Sequence, residues 1–251
     1  MIDKAQFQQT PMGVALTELG QKLQDAHMPP VSLNVIGGFA LMMREIRNPN
    51  DTTDIDYVGK NMPANFNKIA DEIGMKHHLG RGWINNDVML AGISLEDFEM
   101  STGELHFDHA FNVGNISVNV LDEKDLLRMK VLSVDTSLTS VEMGGDFSRM
   151  KDMEDVKVLM ERQHVSPEQL EDKFGDYIIC PYTVDMIKTY HTQGTEGVTR
   201  EVDAQQKRYM AQLQKERQNR SVQTERSPFL QSLLEDLDRR SRETPNSYFK
   251  S

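Results

Sequence analysis

Apolar and polar positions follow two periods along this chain, one typical of helices and the other typical of strands. Between residues 11 and 26 apolar side chains recur every three to four positions, and Thr10 and Pro11 suit the cap and first turn of a helix. Residues 31–36 form a short, mostly apolar run that predicts a buried strand. Because helical and strand-like segments then alternate, we expect an α/β fold of the α+β kind, a small mixed sheet flanked by helices and followed by a helical C-terminal region.

The same patterns predict the other elements. Strands are expected at 53–58, 105–111 and 116–121, and helices at 39–46, 64–75, 123–134, 148–162 and 182–190, with a further helix entered through 166–169. Gly37 and Gly38 predict a tight turn after the first strand. Asp122 and Ser148 are expected to cap the helices that follow them, with a loop or weak structure at 135–146.

Charge is distributed unevenly along the chain. Residues 191–251 hold 11 Lys and Arg against 9 Asp and Glu, whereas residues 1–190 hold 17 against 30. A short amphipathic stripe at 229–237 suits contact with a partner or with a second copy of the chain, although a solvated tail is the plainer interpretation. The predicted units are a main domain at 1–165, a helical extension at 166–194 and a polar tail, helical or partly disordered, at 195–251.

Composition excludes several classes of protein. A formal net charge of −11 and a pI near 5.1 disfavour non-specific coating of nucleic acid, although a local basic groove stays compatible with them. The single cysteine, Cys180, rules out an intrachain disulfide and a thiolate zinc cluster. No apolar run approaches the roughly 18 residues of a membrane span, and the N-terminus has no signal-peptide core. We therefore expect a cytoplasmic protein without membrane contact.

Two carboxylates near a glycine turn form the clearest candidate site. On a strand, Asp54 and Asp56 share one face while Ile55 and the residue after Asp56 share the other. The two carboxylates repel each other unless a positive charge lies between them, and a hard divalent cation prefers oxygen ligands. The sequence therefore predicts a metal site at the aspartate pair (Asp54 and Asp56), beside the glycine pair (Gly37 and Gly38). The structural alternatives to such a site are a glycine pair that only forms a tight turn and two carboxylates that are only solvated.

A second group of charged residues lies on two later helices. Asp152 and Asp155 are three positions apart, so they occupy adjoining parts of one helical face and could orient a lysine or substrate groups. Lys130 and Lys151 are candidates for phosphate contacts. The structural alternatives are a surface ion pair between Lys151 and Asp155, and a Lys130 that only extends its stem over the core. Trp83 is interpreted as a core or lid anchor rather than a base-stacking platform.

The order of apolar strand, glycine pair, helix, loop and Asp-Ile-Asp strand resembles the DNA polymerase β-like nucleotidyltransferase superfamily. The later motif Lys151-Asp152-x-x-Asp155, on a helix that follows a lysine-bearing helix, narrows the resemblance to bacterial AbiEii-type nucleotidyltransferase-like proteins of type IV toxin–antitoxin systems. The Gly-Trp-Ile-Asn element around Trp83 also fits that group. The resemblance covers roughly residues 31–161.

The resemblance implies a metal-dependent enzyme that moves a nucleoside monophosphate from an NTP to a hydroxyl of RNA or protein, with a toxin-like role and a cognate antitoxin as a candidate partner. Magnesium or manganese would bind the aspartate pair, and backbone N–H groups of the glycine pair would approach the triphosphate. The implied catalytic residues are Asp54, Asp56, Lys151, Asp152 and Asp155, and the implied nucleotide-binding residues are Gly37, Gly38 and Lys130.

This chain departs from that pattern in two places. Relatives usually carry a third carboxylate on a later strand as metal ligand and base, and Asn119 stands where that acid is expected. Asp108 or Asp122 could substitute, and Asp87 is a weaker candidate. Arg47 is displaced from the Arg-x-Thr that often precedes Asp-Ile-Asp, which weakens a phosphate role for it. Two other hypotheses therefore remain: a degenerate domain that binds nucleotide or a protein partner without chemistry, and a scaffold whose tail is the functional part.

Overall fold

The predicted apolar runs assemble into a mixed sheet. A computed structural model describes residues 1–58, 62–86 and 104–226, without the side chains of Asn50, Tyr177 and residues 219–226. Its strands are β1 (Val31–Val35), β2 (Ile55–Val58), β3 (Ile84–Asn85), β4 (Phe107–Val113) and β5 (Ile116–Leu121). Within the described residues their order is β3-β2-β1-β5-β4. Strand β1 pairs antiparallel with β2 and parallel with β5, so the sheet is mixed as expected.

Helices flank this sheet and continue beyond it. They are α1 (Lys4–Phe7), α2 (Pro11–Asp25), α3 (Gly37–Met43), α4 (Phe66–Lys76), α5 (Glu123–Glu142), α6 (Met150–Gln163), α7 (Glu168–Phe174) and α8 (Thr183–Arg226), with short 3-10 turns at Pro49–Asp51 and Gly175–Tyr177. The Thr10 hydroxyl accepts from Gly13 N at 3.0 Å and Pro11 fills the first turn of α2, as predicted. The expected fold class, a mixed sheet with flanking helices and a helical C-terminal region, is confirmed.

The two faces of the sheet differ in polarity. Leu33, Val35 and Val118 belong to the buried core together with apolar residues of α2, α3 and α4. The opposite face carries hydrogen-bonded polar side chains at the centre of the sheet, where Asn119 Nδ2 donates to Asn34 Oδ1 at 2.9 Å. The alternation along each strand therefore buries one face and leaves polar groups on the other.

Helix α5 corrects the loop predicted at 135–146, because it continues to Glu142. The carboxylate of Asp135 is buried and accepts from Ile179 N at 3.1 Å, Cys180 N at 2.9 Å and Thr183 Oγ1 at 2.6 Å. These bonds join α5 to the start of α8. Asp135 therefore has tertiary partners, which help to offset the weak helix propensity of the polar residues in this half of α5.

The start of α6 corrects a second prediction. Asp122 caps α5 as expected, since its Oδ1 accepts from Asp125 N at 2.7 Å. Ser148 does not cap α6. Residue Arg149 holds the cap position without a side-chain bond, and Ser148 N instead donates to Ser137 Oγ at 3.2 Å.

The predicted tail begins inside a long helix. Helix α8 is interrupted by non-helical angles at Gly194, the residue at the border predicted between the helical extension and the tail. Beyond it Val198 and Val202 are buried, and Gln206 Nε2 donates to Gly145 O at 2.9 Å. The amphipathic stripe at 229–237 lies outside the described residues. No helix in the described ranges has the length and apolar content needed to cross a bilayer.

Candidate functional site

A cleft of about 720 Å³ opens where β1 ends and β2 begins, with α5 and the start of α6 contributing to its walls. Most residues predicted for the site line this one cleft. They are Gly37, Gly38, Asp54, Asp56, Lys130, Lys151 and Asp152. The eighth, Asp155, is buried and contacts two cations, Arg47 and Lys130, that line the cleft. The fold thus brings together residues that are more than 100 positions apart in the chain, since Arg47 and Asp155 are separated by 108.

The glycine pair forms the first residues of α3 rather than a separate turn. Gly37 has a φ of +61°, in the left-handed region that disfavours side chains. A Cβ there would lie 2.8 Å from Asp56 Oδ2, so the carboxylate packs directly against the first residue of α3. Residue 37 therefore has to be glycine both for its backbone angle and for the approach of Asp56.

The aspartate pair lies at the entry of β2. Asp54 is exposed and Asp56 is half-buried, while Ile55 and Tyr57 point into the core, as the strand alternation predicted. Burial raises the pKa of Asp56 above its ordinary value of 3.8, and the charge of Asp54 raises it further. A hydrogen bond with Asn85 and the positive charge of Lys130 oppose this rise. Partial burial and the charge of Asp54 thus disfavour the charged form of Asp56.

A buried ion cluster of two cations and two anions lies beside the pair. We call it the ion cluster; its members are Arg47, Lys130, Asp152 and Asp155. Arg47 Nε donates to Asp155 Oδ1 at 2.7 Å, and its Nη2 donates to Asp155 Oδ2. Lys130 Nζ donates to Asp152 Oδ1 and lies 3.1 Å from Asp155 Oδ2. Only 4% of the Asp155 side chain and 6% of the Asp152 side chain are exposed.

The ion cluster changes the interpretation of Asp152 and Asp155. Their oxygens bind cations of the protein, so they position Arg47 and Lys130 at the cleft wall and are not placed as free acids. Lys130 forms ion pairs with both carboxylates. The alternative in which its side chain only covers the core therefore does not account for its position. The alternative of a surface pair between Lys151 and Asp155 is wrong, because Asp155 binds Arg47 and Lys130 while Lys151 Nζ donates to Asp51 O at 2.7 Å.

Sequence reasoning missed two groups in the cleft. Thr52 is only 8% exposed, lines the cleft, and its hydroxyl has no hydrogen-bond partner among the described residues. Its one sequence signal was its place next to the aspartate strand. The second group is a row of hydroxyls from α5 and the segment after it. The row consists of Ser133, Thr136, Ser137, Ser140 and Ser148. Its middle members, Thr136, Ser137 and Ser140, were missed because residues 135–146 were predicted as a loop.

The third carboxylate is absent from the described part of the site. Asn119 bonds to Ser32 Oγ and Asn34 Oδ1, both at 2.9 Å, within the polar sheet face. The β1–β2 and β1–β5 registers, extended by one residue past Val35, put Leu121, which is buried, level with Asp56. The residue of β5 level with Asp56 is therefore Leu121, and not Asn119 as the sequence predicted, so no acid stands there.

The proposed substitutes have other partners. Asp108 forms an ion pair with Arg44 at 2.7 Å, and Asp122 is a helix cap. Asp87 lies outside the described residues. Trp83 is buried and its Nε1 donates to Ala70 O at 2.7 Å, which confirms the core interpretation and disfavours a base-stacking platform.

In residues 1–58, 62–86 and 104–226, one group of three potential metal ligands is found, and it lies outside the cleft lining. It consists of His106, Asp122 and Asp125, whose ligand atoms lie within 4.8 Å of one another, so it could hold a cation. The acids are already engaged. Asp122 caps α5, and Asp125 binds His106 and lies 2.9 Å from Arg128 Nη2. The metal site predicted from the sequence, by contrast, consists of two carboxylates, and in the described residues no third histidine, cysteine, aspartate or glutamate is grouped with them.

No protein-family model, no curated protein and no solved structure matches this chain. The case for its function therefore depends on the geometry of the cleft.

Proposed function

We propose that the protein is a metal-dependent nucleotidyltransferase that moves a nucleoside monophosphate from an NTP to a hydroxyl of RNA or protein. One observation carries the proposal. A single cleft is lined by the aspartate pair, by the glycine pair and by Lys130, three features with distinct uses in phosphoryl chemistry. The resemblance to AbiEii-type proteins and the pairing with an antitoxin that it implies are part of the same proposal.

The aspartate pair fits a divalent metal by its donor chemistry. Two carboxylates project from alternate positions at the start of β2, and burial raises the pKa of Asp56. Within the described ranges neither carboxylate has an ion-pair partner, so negative charge there is in excess. A magnesium or manganese ion held by Asp54 and Asp56 would bind phosphate oxygens and offset the charge that develops on the pyrophosphate leaving group.

The protein's own residues would bind and orient the NTP. Asp56 Oδ2 occupies the space beside Gly37, so the glycine pair would contribute its backbone N–H groups at the start of α3 to a polyphosphate. Lys130, fixed by Asp152 and Asp155, places a positive charge at the cleft wall without freedom to swing away. The hydroxyl row of α5 offers hydrogen-bond partners for the sugar and base, and the cleft volume of about 720 Å³ is in the range of small-molecule sites.

A second candidate function has its own support. The buried Leu121 stands level with Asp56 where a third carboxylate would act as base. A leucine at this position, which cannot accept a proton, is consistent with a domain that binds NTP and metal in the cleft but does not catalyse transfer. This second candidate is a nucleotide-binding module that controls a partner.

One experiment tests the proposal and separates the two candidates. The purified chain is incubated with each α-phosphate-labelled NTP, magnesium, and either total RNA or cell protein, and transfer of label and release of pyrophosphate are measured. The transferase predicts labelled acceptor and pyrophosphate in equal amounts, both lost in Asp54→Asn/Asp56→Asn. The binding module predicts magnesium-dependent NTP binding in calorimetry with neither product.

The matched control is Asp172→Asn/Asp176→Asn, which removes two exposed carboxylates outside the cleft lining. It should transfer label as the wild type does. Labelling that is equally strong in Asp54→Asn/Asp56→Asn would show that the aspartate pair does not take part in nucleotide transfer. That result would contradict the proposal.

A further inference from the structure

The part of α8 that follows the break at Gly194 has two opposite sides. Successive residues of a helix are turned by about 100°, so Val198, Val202 and Tyr209 lie on one side. Val198 and Val202 are buried, and a Cβ at Gly144 would lie 2.6 Å from Tyr209 Cε1. This side therefore packs against the protein, and the opposite side of the helix is turned toward solvent.

Four exposed cations share the solvent side. They lie within roughly 100° of the helix circumference, and the acids between residues 200 and 216 lie outside that sector. The side chains of three of them form no ion pair or hydrogen bond among the described residues, and the fourth donates to a neutral amide, Gln193 Oε1. We call these cations the basic stripe; its members are Lys207, Arg208, Lys215 and, as the one bonded to the amide, Arg200.

The chemistry of the basic stripe suits the phosphate backbone of a nucleic acid. The stripe extends over roughly 22 Å at 1.5 Å per residue, with Ala204 and Ala211 between its cations. Protein interfaces are anchored by aromatic and apolar side chains, which the stripe lacks, whereas phosphate contacts need cations and small polar donors. The stripe is thus a local basic surface on a protein whose residues 1–190 hold 17 Lys and Arg against 30 Asp and Glu.

The same part of α8 is fixed to a wall of the cleft. Gln206 Nε2 donates to Gly145 O at 2.9 Å, which joins the helix to the segment between α5 and α6. Three residues of that segment, Asp146, Ser148 and Arg149, line the cleft that contains the aspartate pair. A nucleic acid on the basic stripe is therefore held by a helix that is anchored at the candidate site.

We propose that the basic stripe binds the phosphate backbone of RNA, so that RNA rather than protein is the acceptor at the cleft. The role of acceptor rests on the proposed function, whereas binding itself requires neither metal nor NTP. The surface lies outside residues 31–161, the part of the chain that carries the resemblance.

The test measures binding of a fluorescein-labelled oligouridylate by fluorescence anisotropy, in EDTA and without NTP. Lys207→Gln/Arg208→Gln removes two charges but keeps good helix formers, so α8 should persist. At about 50 mM salt the affinity should fall roughly tenfold to a hundredfold, and the slope of log K against log salt should decrease by about 1.4, since each phosphate contact on a single strand contributes about 0.7. Lys207→Arg/Arg208→Lys, which keeps both charges, should bind as the wild type does.

The matched control is Lys68→Gln/Arg81→Gln, which removes the same two charges from exposed positions outside the cleft lining. Its affinity should stay within twofold of the wild type. An equal loss in this control would show that net charge, and not the stripe, governs binding, and would overturn the inference. A wild type that does not bind the oligouridylate, or that binds polyglutamate or phosphatidylserine vesicles as tightly, would overturn it in favour of no ligand, a protein or a membrane.

The assay of nucleotide transfer separates this inference from the proposed function. RNA binding that depends on the stripe, in a wild type that transfers no label from any NTP, would keep the stripe and reject the transferase. Transfer of label to RNA that is equally efficient in Lys207→Gln/Arg208→Gln at subsaturating RNA would keep the transferase and reject the stripe as its acceptor surface.

Discussion

Arg47 and Asp155, which are 108 positions apart in the chain, form a bidentate ion pair in which Arg47 Nε lies 2.7 Å from Asp155 Oδ1. The pair joins the segment after α3 to the middle of α6. Lys130, from α5, lies 3.1 Å from the same carboxylate. Three separate parts of the chain are therefore fixed at one wall of the cleft by a single side chain.

This geometry predicts that Asp155→Asn is strongly destabilising. The variant leaves Arg47 and Lys130 with one buried counter-charge in place of two, and breaking a buried pair by removing one partner costs about 3–5 kcal/mol. Urea denaturation should show this loss of unfolding free energy. Asp172→Asn, an exposed carboxylate on α7, is the control and should change stability by less than about 0.5 kcal/mol. An Asp155→Asn protein as stable as that control would contradict the assignment.

The raised pKa of Asp56 predicts that this residue lowers the stability of the protein as pH rises. A carboxyl whose folded pKa lies above its unfolded value binds its proton more tightly when folded, so it contributes stability below the unfolded pKa and loses that contribution as pH rises through the folded pKa. Asp56→Asn should therefore gain stability relative to the wild type as pH increases upward from about the ordinary value of 3.8. Urea unfolding of both proteins across this range measures the difference.

Magnesium provides the second half of that test. A cation bound by the charged form of Asp56 should remove the wild-type penalty at high pH and leave Asp56→Asn unaffected. A stability difference that does not change with pH would show that Asp56 is not desolvated as the structure indicates.

Gly37→Ala should lower the stability of the protein by more than the backbone angle of Gly37 alone explains. A side chain at a left-handed residue costs roughly 1–2 kcal/mol, and a Cβ at Gly37 would also press on Asp56 Oδ2. Gly80→Ala is the matched control, because Gly80 has a φ of +84° and nothing within 4 Å of its Cβ position. The excess loss in Gly37→Ala, measured by thermal unfolding, reports the contact with Asp56. Equal losses in the two variants would disprove that contact.

Much of the cleft followed from local sequence patterns. The apolar run before Gly37 and the alternation around Asp54 and Asp56 are short-range signals, and they predicted the strands and the side of β2 that carries the carboxylates. The structure adds that Asp56 packs against Gly37 at the start of α3. Spacing also put Asp152 and Asp155 on one helical face, which agrees with their joint contact to Lys130.

The remaining features depend on contacts between distant parts of the chain. Arg47 was given a doubtful role because its distance from the aspartate strand was judged along the sequence, whereas its partner Asp155 is on α6. Thr52 could not be singled out, since an unpaired hydroxyl is recognised only when its burial is known. The second half of α5 was predicted as a loop because its polar residues are weak helix formers and their tertiary partners cannot be read from composition.

Asp135 is the clearest of those partners and supports a final prediction. Its carboxylate accepts from Ile179 N, Cys180 N and Thr183 Oγ1, so Asp135→Ala leaves three donors near the start of α8 without their acceptor. We expect a loss of about 2–4 kcal/mol in urea denaturation, since each buried donor left unpaired costs roughly 1–3 kcal/mol and partial solvation recovers some of it. Limited proteolysis should also cut near residues 178–183 faster than in Asp172→Asn, because this carboxylate is what anchors that segment to α5. Unchanged cleavage there, together with a loss of stability, would mean that the apolar contacts of α8 are sufficient to hold the segment in place.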